Sequence, residues 1–330
     1  MTLGRARDRA AGAAMPQSLS AATAWLAAGI LVLALAPFFV YPLFLTKLLC
    51  MALFAIAFNL LIGGSGLLSF GHAAFFGGAA YIAAEAAKIW GFPFEAAVLA
   101  GTAAATALGL VFGLIAIRRH GLYFAMITLA LAQGVYFLVL RLPFTHSEDG
   151  LQAVPRGWLF GLIDLRSNLA LYYTVAAIFL LGYLFVWRVW HSPFGRVLNA
   201  IKDNRVRATS LGYPVERYLL LNFVLSAALS GVAGSLKALS LGLATLTDVD
   251  WSTSGDVVLM VLLGGLGTLF GPVVGAALIV TMDDYLAETG VPVPVVVGFI
   301  FIGVILVFRR GIVGEILHRM HSQGGRAPEA

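Results

Sequence analysis

Apolar runs long enough to cross a bilayer follow one another along most of the chain, and short polar or charged stretches separate them. Each run has roughly 17–25 residues, the length that an α-helix needs to cross the hydrocarbon core. The pattern predicts an all-α, polytopic transmembrane helical bundle with about eight to ten membrane segments. The predicted segments are 23–46, 48–68, 71–90, 94–117, 121–141, 169–190, 218–241, an interrupted segment at 256–282, and 292–308.

The segment at 256–282 contains the sequence "LLGGLGTLFGPVVGA", in which a glycine cluster and Pro272 can break a helix. A single crossing would leave the basic C-terminal tail outside the cell. A segment that enters and returns leaves this tail in the cytoplasm, as the positive-inside rule favours. We therefore expect a broken or re-entrant segment and two cytoplasmic termini.

This topology divides the chain into three parts. Residues 1–20 are expected to form a basic cytoplasmic N-terminal tail, residues 21–310 a single transmembrane domain, and residues 311–330 a cytoplasmic C-terminal tail. Within the domain, the loop at 142–168 is predicted to be periplasmic and the loop at 191–217 to be cytoplasmic.

The composition is typical of a membrane protein and excludes several kinds of site. Hydrophobic residues make up 60% of the chain and charged residues 11%, with a mean hydropathy of +0.93. The basic residues behind the formal net charge of +5 are spread over loops, which indicates topology and not nucleic-acid binding. The single cysteine, Cys50, excludes an intramolecular disulfide and a cysteine-based metal cluster. No metal site or cofactor is predicted.

The chain also lacks the sequence features of an energy source. No lysine follows a glycine, so a Walker A motif is absent. The centres of the predicted segments carry no charge, and the charged residues near their outer ends can snorkel to the surface. Asp283 and Asp284 are interpreted as a solvated cap without partners. The sequence thus predicts a translocation pathway and not an enzyme. The residues expected to snorkel are Glu85, Lys88, Glu95 and Lys237.

Small and polar residues crowd the stretch "LLIGGSGLLSFGHAAFFGGAAY" at 60–81. Helices in lipid associate through close backbone approach at small residues, so tight packing explains the pattern. A helix break that lines a path also explains it, because freed backbone groups need protein or water beside them. For His72, a hydrogen-bonded structural role and a ligand role stay open. The candidate path residues are Gly63, Gly64, Ser65, Gly66, Ser69, Gly71, His72, Gly264, Gly265, Gly267, Thr268 and Gly271.

The stretch "HSPFGRVLNAIKDNRVRATSLGYPVERYLL" at 191–220 predicts a short amphipathic helix between two membrane segments. Ser192 can cap this helix and Pro193 suits its first position. Gly212 suits a C-terminal stop. The element is either a helix on the membrane surface or a lever that docks into a cytoplasmic partner.

Five stretches between about residue 45 and residue 310 carry a specific resemblance. They are "NLLIGGSGLLSFGHAAFFGGAAY" at 59–81, "GLYFAMITLALAQ" at 121–133, "EDGLQAVP" at 148–155, "SPFGRVLNAIKDNRVRATSLGYPVERYLLLNFVLSAALSGVAGSL" at 192–236 and "VLLGGLGTLFGPVVGA" at 261–276. In this order they resemble the LivM-type permease of branched-chain amino acid ABC importers. The resemblance implies a type II ABC importer-like permease fold.

The resemblance also implies a function and partners. The chain is expected to form the translocation path of an ATP-driven importer in the bacterial inner membrane. Expected partners are a second, homologous permease subunit in a heterodimer, two cytoplasmic ATPase subunits that bind the ATP, and a periplasmic substrate-binding protein. Branched-chain amino acids are the expected substrates. A permease for urea or short amides, and a stand-alone channel or secondary carrier, remain alternatives.

By the same resemblance, the loop at 191–217 docks into a groove on the ATPase. One departure from the family is that "RVRAT" at 205–209 lacks the usual glutamate of the coupling element. Asp203 or Glu216 can replace it. The expected coupling residues are Ser192, Pro193, Phe194, Gly195, Arg196, Asp203, Arg205, Arg207, Ala208 and Gly212.

The loop at 142–168 is the longest predicted outer connection and carries mixed charges. We expect it to receive the binding protein, because complementary exposed charges steer association and set register. The candidate docking residues are Arg141, Glu148, Asp149 and Arg156.

Overall fold

The computed structural model describes residues 29, 31–145, 147–287, 293–307 and 311–315. The predicted N-terminal tail, the beginning of the first predicted segment and most of the C-terminal tail lie outside this part of the chain. Residues 31–35 are helical and lead into a 3₁₀ turn at Ala36–Phe38.

The helices that follow build the bundle, and four two-residue strands lie in its connections. The α-helices are α1 Pro42–Ser65, α2 His72–Lys88, α3 Phe94–Ala116, α4 Leu122–Arg141, α5 Asn168–Trp190, α6 Pro193–Asp203, α7 Arg205–Ser210, α8 Val215–Leu241, α9 Trp251–Gly264, α10 Gly271–Ala287 and α11 Val293–Val307. The strands are β1 Leu151–Gln152, β2 Trp158–Leu159, β3 Ile163–Asp164 and β4 Leu243–Ala244, and 3₁₀ turns lie at Pro143–Thr145 and Leu246–Asp248.

The predicted helical membrane fold is confirmed. Among the described residues, α1, α3, α4, α5 and α8 are long and apolar enough to cross a bilayer. Helices α1 and α8 are the most buried of these five and form the centre of the bundle. The predicted boundary between the first two segments, at 46–48, is wrong. Helix α1 starts at Pro42, because proline suits the first helical turn and disfavours helical geometry at the residue before it.

Small residues let the central helices approach closely, as expected for helix association in lipid. A Cβ on Gly234 of α8 would overlap the carbonyl of Phe76 on α2. A Cβ on Gly101 of α3 would lie 2.6 Å from the carbonyl oxygen of Ala79 on α2. The three helices therefore pack backbone against backbone, and larger side chains at these glycines would push them apart.

Helices α9 and α10 form an antiparallel hairpin, which confirms the predicted interruption and return. A Cβ on Gly264 would overlap the carbonyl of Gly271, and a Cβ on Gly275 would overlap the carbonyl of Met260. The contact moves towards the start of α9 as it moves towards the end of α10, so the two helices run antiparallel. With 14 and 17 residues, the helices are about 21 Å and 26 Å long, so each is shorter than the hydrocarbon core.

The two loops predicted to bind partners lie at opposite ends of the bundle. Helix α5, with 23 residues and a length of about 35 Å, begins at the 142–168 loop and ends at the 191–217 loop. We call these the outer end and the inner end, after the predicted sidedness. At the outer end β1 pairs with β4 in antiparallel register, with Leu151 opposite Ala244. This pairing ties the 142–168 loop to the connection between α8 and α9.

Three expectations about charged residues are wrong. Glu85 does not snorkel, because its side chain is buried within the bundle. Lys237 does not snorkel, because its ammonium lies 2.6 Å from both carboxylate oxygens of Asp248, and both side chains are about nine-tenths buried. Asp284 is not an unpartnered cap, because it forms an ion pair with Lys47 of α1. A charge in an apolar bundle is stabilised when a partner of opposite sign lies beside it. Lys47 and Asp284 are 237 residues apart in the chain, whereas Asp248 follows Lys237 by only 11 residues.

Candidate functional site

The glycine-rich stretch at 60–81 contains a real helix break. Helix α1 ends at Ser65, Gly66 has a φ of +73°, and α2 starts only at His72. The φ of Gly66 lies in the left-handed region, which glycine adopts without the steric penalty of a side chain. The break therefore follows from the sequence at the position where the glycines cluster.

Neighbouring helices satisfy backbone groups that the break frees. The Phe70 N–H donates to Thr128 Oγ1 of α4 at 3.2 Å, and the Ala73 N–H donates to Ser254 Oγ of α9 at 2.9 Å. Within the stretch, the Gly71 N–H donates to Ser69 Oγ at 3.1 Å. Protein groups thus satisfy these three N–H groups, as a bilayer requires.

Several of the candidate path glycines are close-packed within the subunit. A Cβ on Gly71 would lie 2.9 Å from the Thr128 carbonyl oxygen, and a Cβ on Gly63 would lie 3.1 Å from the Trp190 ring. Gly64 lies beside the same ring, whereas Gly66 is exposed. Ser65 and Ser69 are buried, and Ser65 Oγ donates to the Leu61 carbonyl at 2.7 Å. Packing accounts for the buried positions and backbone conformation for Gly66, and their place on a path stays a prediction.

His72 is buried and hydrogen-bonded, as a structural role requires, and its place on a path stays a prediction. Its Nε2 lies 2.8 Å from Ser226 Oγ of α8, and that hydroxyl donates its proton to the Ala57 carbonyl of α1 at 2.5 Å. Since the serine proton is engaged, Nε2 must carry the hydrogen and donate. Phe58 and Phe75 contact the ring edge-on. His72 therefore joins three helices at the start of α2.

Asn59 joins the two glycine-rich stretches. Its Nδ2 donates to the Thr268 carbonyl at 2.8 Å, and its Oδ1 accepts from the Gly267 N–H at 3.2 Å. The side chain is buried in α1, one turn before Gly63. The sequence contained the signal, an amide inside an apolar run, but did not reveal its partner. The structure thus brings the break after α1 and the α9–α10 turn together.

The turn between α9 and α10 is held by its own residues. Thr268 Oγ1 donates to the Gly265 carbonyl at 2.9 Å and accepts from the Gly271 N–H at 3.1 Å. Gly265 and Gly267 both have positive φ values, 122° and 75°. Four of the five candidate residues in this stretch therefore shape the turn directly, and the fifth, Gly264, allows the hairpin to close.

The 191–217 loop forms two short helices, α6 and α7, where the sequence predicted one. Ser192 caps α6 as expected, accepting from the Gly195 N–H at 3.3 Å. Asn204 ends α6 and caps α7, because its Oδ1 accepts from the Arg207 N–H at 2.9 Å. The buried face of α6 includes Leu198, so its predicted amphipathic character is confirmed.

Two glycines of this loop have different structural requirements. A Cβ on Gly195 would lie 2.5 Å from the Trp190 carbonyl oxygen and 2.6 Å from that of Val189. Gly212 has open space around it but a φ of +84°, which disfavours any other residue. Gly195 is thus required by packing against the end of α5, and Gly212 by backbone conformation.

The loop is bonded to the bundle at two points. Lys202 Nζ donates to the Gly63 carbonyl at 2.8 Å, and Arg205 donates to His120 Nδ1, in the α3–α4 connection, at 2.5 Å. Partial burial lowers the pKa of Lys202, and the carboxylate of Asp203 partly offsets this effect. The link from Lys202 to the glycine break was not predicted from sequence.

The opposite face of the loop is exposed and partly apolar. Val206 and Leu211 are 76% and 71% exposed, and Tyr213 is also exposed. The remaining predicted coupling residues divide between the two faces. Pro193, Arg196, Asp203 and Arg207 are exposed, Phe194 and Arg205 are half-buried, and Ala208 is buried.

The predicted docking residues of the 142–168 loop are not equivalent. Arg141, Glu148 and Asp149 are exposed. Arg156 is held inside the loop, because its guanidinium donates to Asn168 Oδ1 at 2.8 Å. The first three side chains are therefore available to a partner, and Arg156 supports the shape of the loop.

Comparison with known proteins places these features in a family context. Residues 40–309 match the family described as "Branched-chain amino acid transport system / permease component". The chain is 28% identical over 253 residues to the high-affinity branched-chain amino acid transport system permease protein LivM of Escherichia coli (strain K12), which covers 70% of this chain and 60% of the relative. It is 28% identical over 199 residues to the autoinducer 2 import system permease protein LsrC of Klebsiella pneumoniae, which covers 52% of this chain and 57% of the relative.

A probable branched-chain amino acid transport permease protein LivM of Methanocaldococcus jannaschii is 32% identical over 123 residues, which covers 36% of this chain and 32% of the relative. The chain thus spans less than two thirds of the length of each of these relatives.

Proposed function

The chain belongs to the permease-component family of branched-chain amino acid transport systems, and on that premise we propose that it is a membrane subunit of an ATP-driven importer for hydrophobic amino acids. One observation carries the mechanism. The 191–217 loop bonds the end of α1 on one face, through Lys202 and Gly63, and presents uncovered apolar side chains on the other. Such a loop can transmit the movement of a partner directly to the helix break.

The partner at the inner end is a cytoplasmic ATPase subunit. Val206, Leu211 and Tyr213 provide the apolar centre of a docking surface, and exposed Arg196 and Arg207 provide charge at its rim. For the missing glutamate we favour Asp203 as the replacement. Glu216 is also exposed, but its charge acts on Arg205 within the loop. The ATP is bound by this partner.

The translocation path lies against a second, homologous permease subunit. Helices α2, α4 and α9 contact one another, and each carries a glycine with no atom within 4 Å of an added Cβ: Gly78, Gly134 and Gly255. Glycine in a membrane helix favours close approach of another helix, so open glycines on three adjacent helices support a partner on this side. The outer end, with the 142–168 loop, receives the periplasmic binding protein.

Transport by purified components tests the function. The chain is reconstituted in proteoliposomes with a candidate ATPase, a second permease and a binding protein from the same organism, and labelled leucine uptake is followed. We expect uptake to require ATP and every component. Leucine flux through this chain alone would establish a stand-alone carrier instead. The chain could also support ATP-dependent uptake of urea, or of autoinducer 2, which is named for the LsrC relatives, and not of leucine. That result would support an ATP-driven importer with a different substrate.

Cysteine accessibility tests the path. In a Cys50→Ala background, Thr268→Cys lies at a half-exposed position and Ser69→Cys at a fully buried one. On a path, both cysteines react with a small polar thiol reagent in the assembled transporter, and the rate at Ser69→Cys changes when ATP is added. Protection of Ser69→Cys in every state would show that this stretch serves packing alone.

A further inference from the structure

A small apolar hairpin projects from the 142–168 loop. Strands β2 and β3 pair with Trp158 opposite Asp164 and Leu159 opposite Ile163. The Leu162 N–H closes the turn by donating to the Leu159 carbonyl at 3.0 Å. Phe160 and Gly161 occupy the turn with φ values of 50° and 70°. Positive φ is unusual for a bulky residue, so this turn holds Phe160 at its tip in a conformation that phenylalanine disfavours.

The side chains of the hairpin divide into two groups. Leu159 packs against the core of the bundle. The other large side chains point away from it: Trp158 is 49%, Phe160 71%, Leu162 84% and Ile163 46% exposed. The sequence "GWLFGLI" at 157–163 contains no charged residue. A contiguous apolar surface of this kind marks a contact with a partner or a membrane.

The position of the hairpin indicates whether lipid or a protein partner covers its exposed side chains. The Phe160 N–H donates to Glu95 Oε2 in the first turn of α3 at 3.3 Å. Helix α3 is a membrane-spanning segment with a largely uncovered apolar side, and Leu99, one turn deeper than Glu95, is 68% exposed. Exposed Trp90 and Phe92 lie in the connection that precedes α3. The hairpin tip is thus at the level where a bilayer-spanning helix ends.

We propose that the hairpin at 158–164 lies on the outer surface of the membrane, with Trp158, Phe160 and Leu162 immersed at the boundary between headgroups and acyl chains. Tryptophan concentrates at that depth because its ring is amphipathic, and phenylalanine and leucine side chains are buried in the same zone by segments that lie on the membrane. The continuity of the hairpin with the apolar side of α3 favours lipid. A water-soluble binding protein is instead served by the exposed charges Glu148 and Asp149, elsewhere on the same loop.

Spin-label depth measurements test the proposal. In the Cys50→Ala background, Leu162→Cys is labelled in the full chain in nanodiscs of phosphatidylethanolamine and phosphatidylglycerol. Accessibility to oxygen, which concentrates in lipid, is compared with accessibility to a water-soluble nickel chelate. The matched control is Asp149→Cys, an exposed position on the same loop. We expect the oxygen-to-nickel ratio at Leu162→Cys to exceed that of the control several-fold.

The alternatives give different results. If the label at Leu162→Cys is as accessible to nickel as the control, the hairpin is in water and the proposal is overturned. If both reagents are excluded only after the periplasmic binding protein is added, the hairpin is a protein-docking surface, which also overturns it. A second label at Phe160→Cys repeats the comparison, and monodispersity in detergent shows that each variant folds.

Discussion

The ammonium of Lys202 donates a 2.8 Å hydrogen bond to the carbonyl of Gly63, 139 residues earlier in the chain. This bond connects the second-to-last residue of α6, at the inner end, to the last turn of α1, next to the helix break. A loop that moves with an ATPase would therefore pull on the position where the membrane backbone is irregular. For the proposed coupling, this bond is a short and direct contact between the loop and the helix break.

Replacing Lys202 by methionine should weaken coupling. Methionine keeps much of the apolar stem but removes the donor, so the Gly63 carbonyl loses its partner. We expect several-fold less leucine uptake per ATP hydrolysed in proteoliposomes, with membrane insertion unchanged. Lys202→Arg retains a donor and should recover part of the coupling. Equal coupling in the wild type and Lys202→Met would remove this bond from the mechanism.

Gly195 and Gly212 should tolerate substitution differently. A leucine at Gly195 would meet the carbonyls of Val189 and Trp190, so α6 must shift and uncouple hydrolysis from transport. At Gly212 alanine has room but carries a left-handed backbone penalty of about 1–2 kcal/mol. Asparagine tolerates that conformation better, so Gly212→Asn should fall between the wild type and Gly212→Ala in melting temperature. If transport activity also ranks wild type, then Gly212→Asn, then Gly212→Ala, backbone conformation and not side-chain volume limits which residues this site accepts.

Asn59 should be a major determinant of stability. Asn59→Leu leaves the Thr268 carbonyl and the Gly267 N–H without their partner, at roughly 1–3 kcal/mol for each buried group. We expect a clear decrease in the thermal unfolding midpoint in detergent. The control is Asn199→Leu, at an exposed position on α6. If both variants melt together with the wild type, Asn59 does not hold the two glycine stretches together.

The ion pairs Lys237–Asp248 and Lys47–Asp284 should differ in energy. Lys237 and Asp248 are about nine-tenths buried, so Lys237→Met alone leaves an unpaired buried carboxylate and should destabilise by roughly 3–5 kcal/mol. Lys237→Met combined with Asp248→Leu should recover much of this loss. The pair of Lys47 and Asp284 is more exposed, and Lys47→Met should cost about 1 kcal/mol or less. Chemical unfolding of these three variants and of Asp248→Leu alone in detergent measures these differences, and additive losses for Lys237→Met and Asp248→Leu would argue against a buried pair.

The charges of the outer loop should separate into docking and structural groups. Reversal at Glu148, an exposed residue, should slow uptake mainly at low concentrations of the binding protein, because exposed charges act chiefly on association. Reversal at Arg156 breaks its bond to Asn168 and should lower uptake at every concentration. Titration of the binding protein in proteoliposomes distinguishes the two responses. Identical titration curves for the wild type and Glu148→Lys would exclude this residue from docking.

The sequence by itself determined the family, the helical membrane fold and the two glycine-rich places where helices break. Apolar runs set helix length, Ser192 and Pro193 set the start of α6, and the glycines at 264–271 set the hairpin turn. Each of these effects acts through the backbone or side chains of a few neighbouring residues. They can therefore be deduced without knowledge of the fold, and the resemblance to LivM-type permeases is confirmed.

Only the tertiary structure decided which buried polar groups are partners. Asn59 and Thr268 are 209 residues apart, and Lys202 and Gly63 are 139 apart. Lys237 contacts Asp248 because the chain folds back on itself after α8. No local pattern encodes these pairs. An unpaired polar group is costly in an apolar bundle, so each is placed beside a partner by the packing of whole helices, and that packing exists only once the chain has folded.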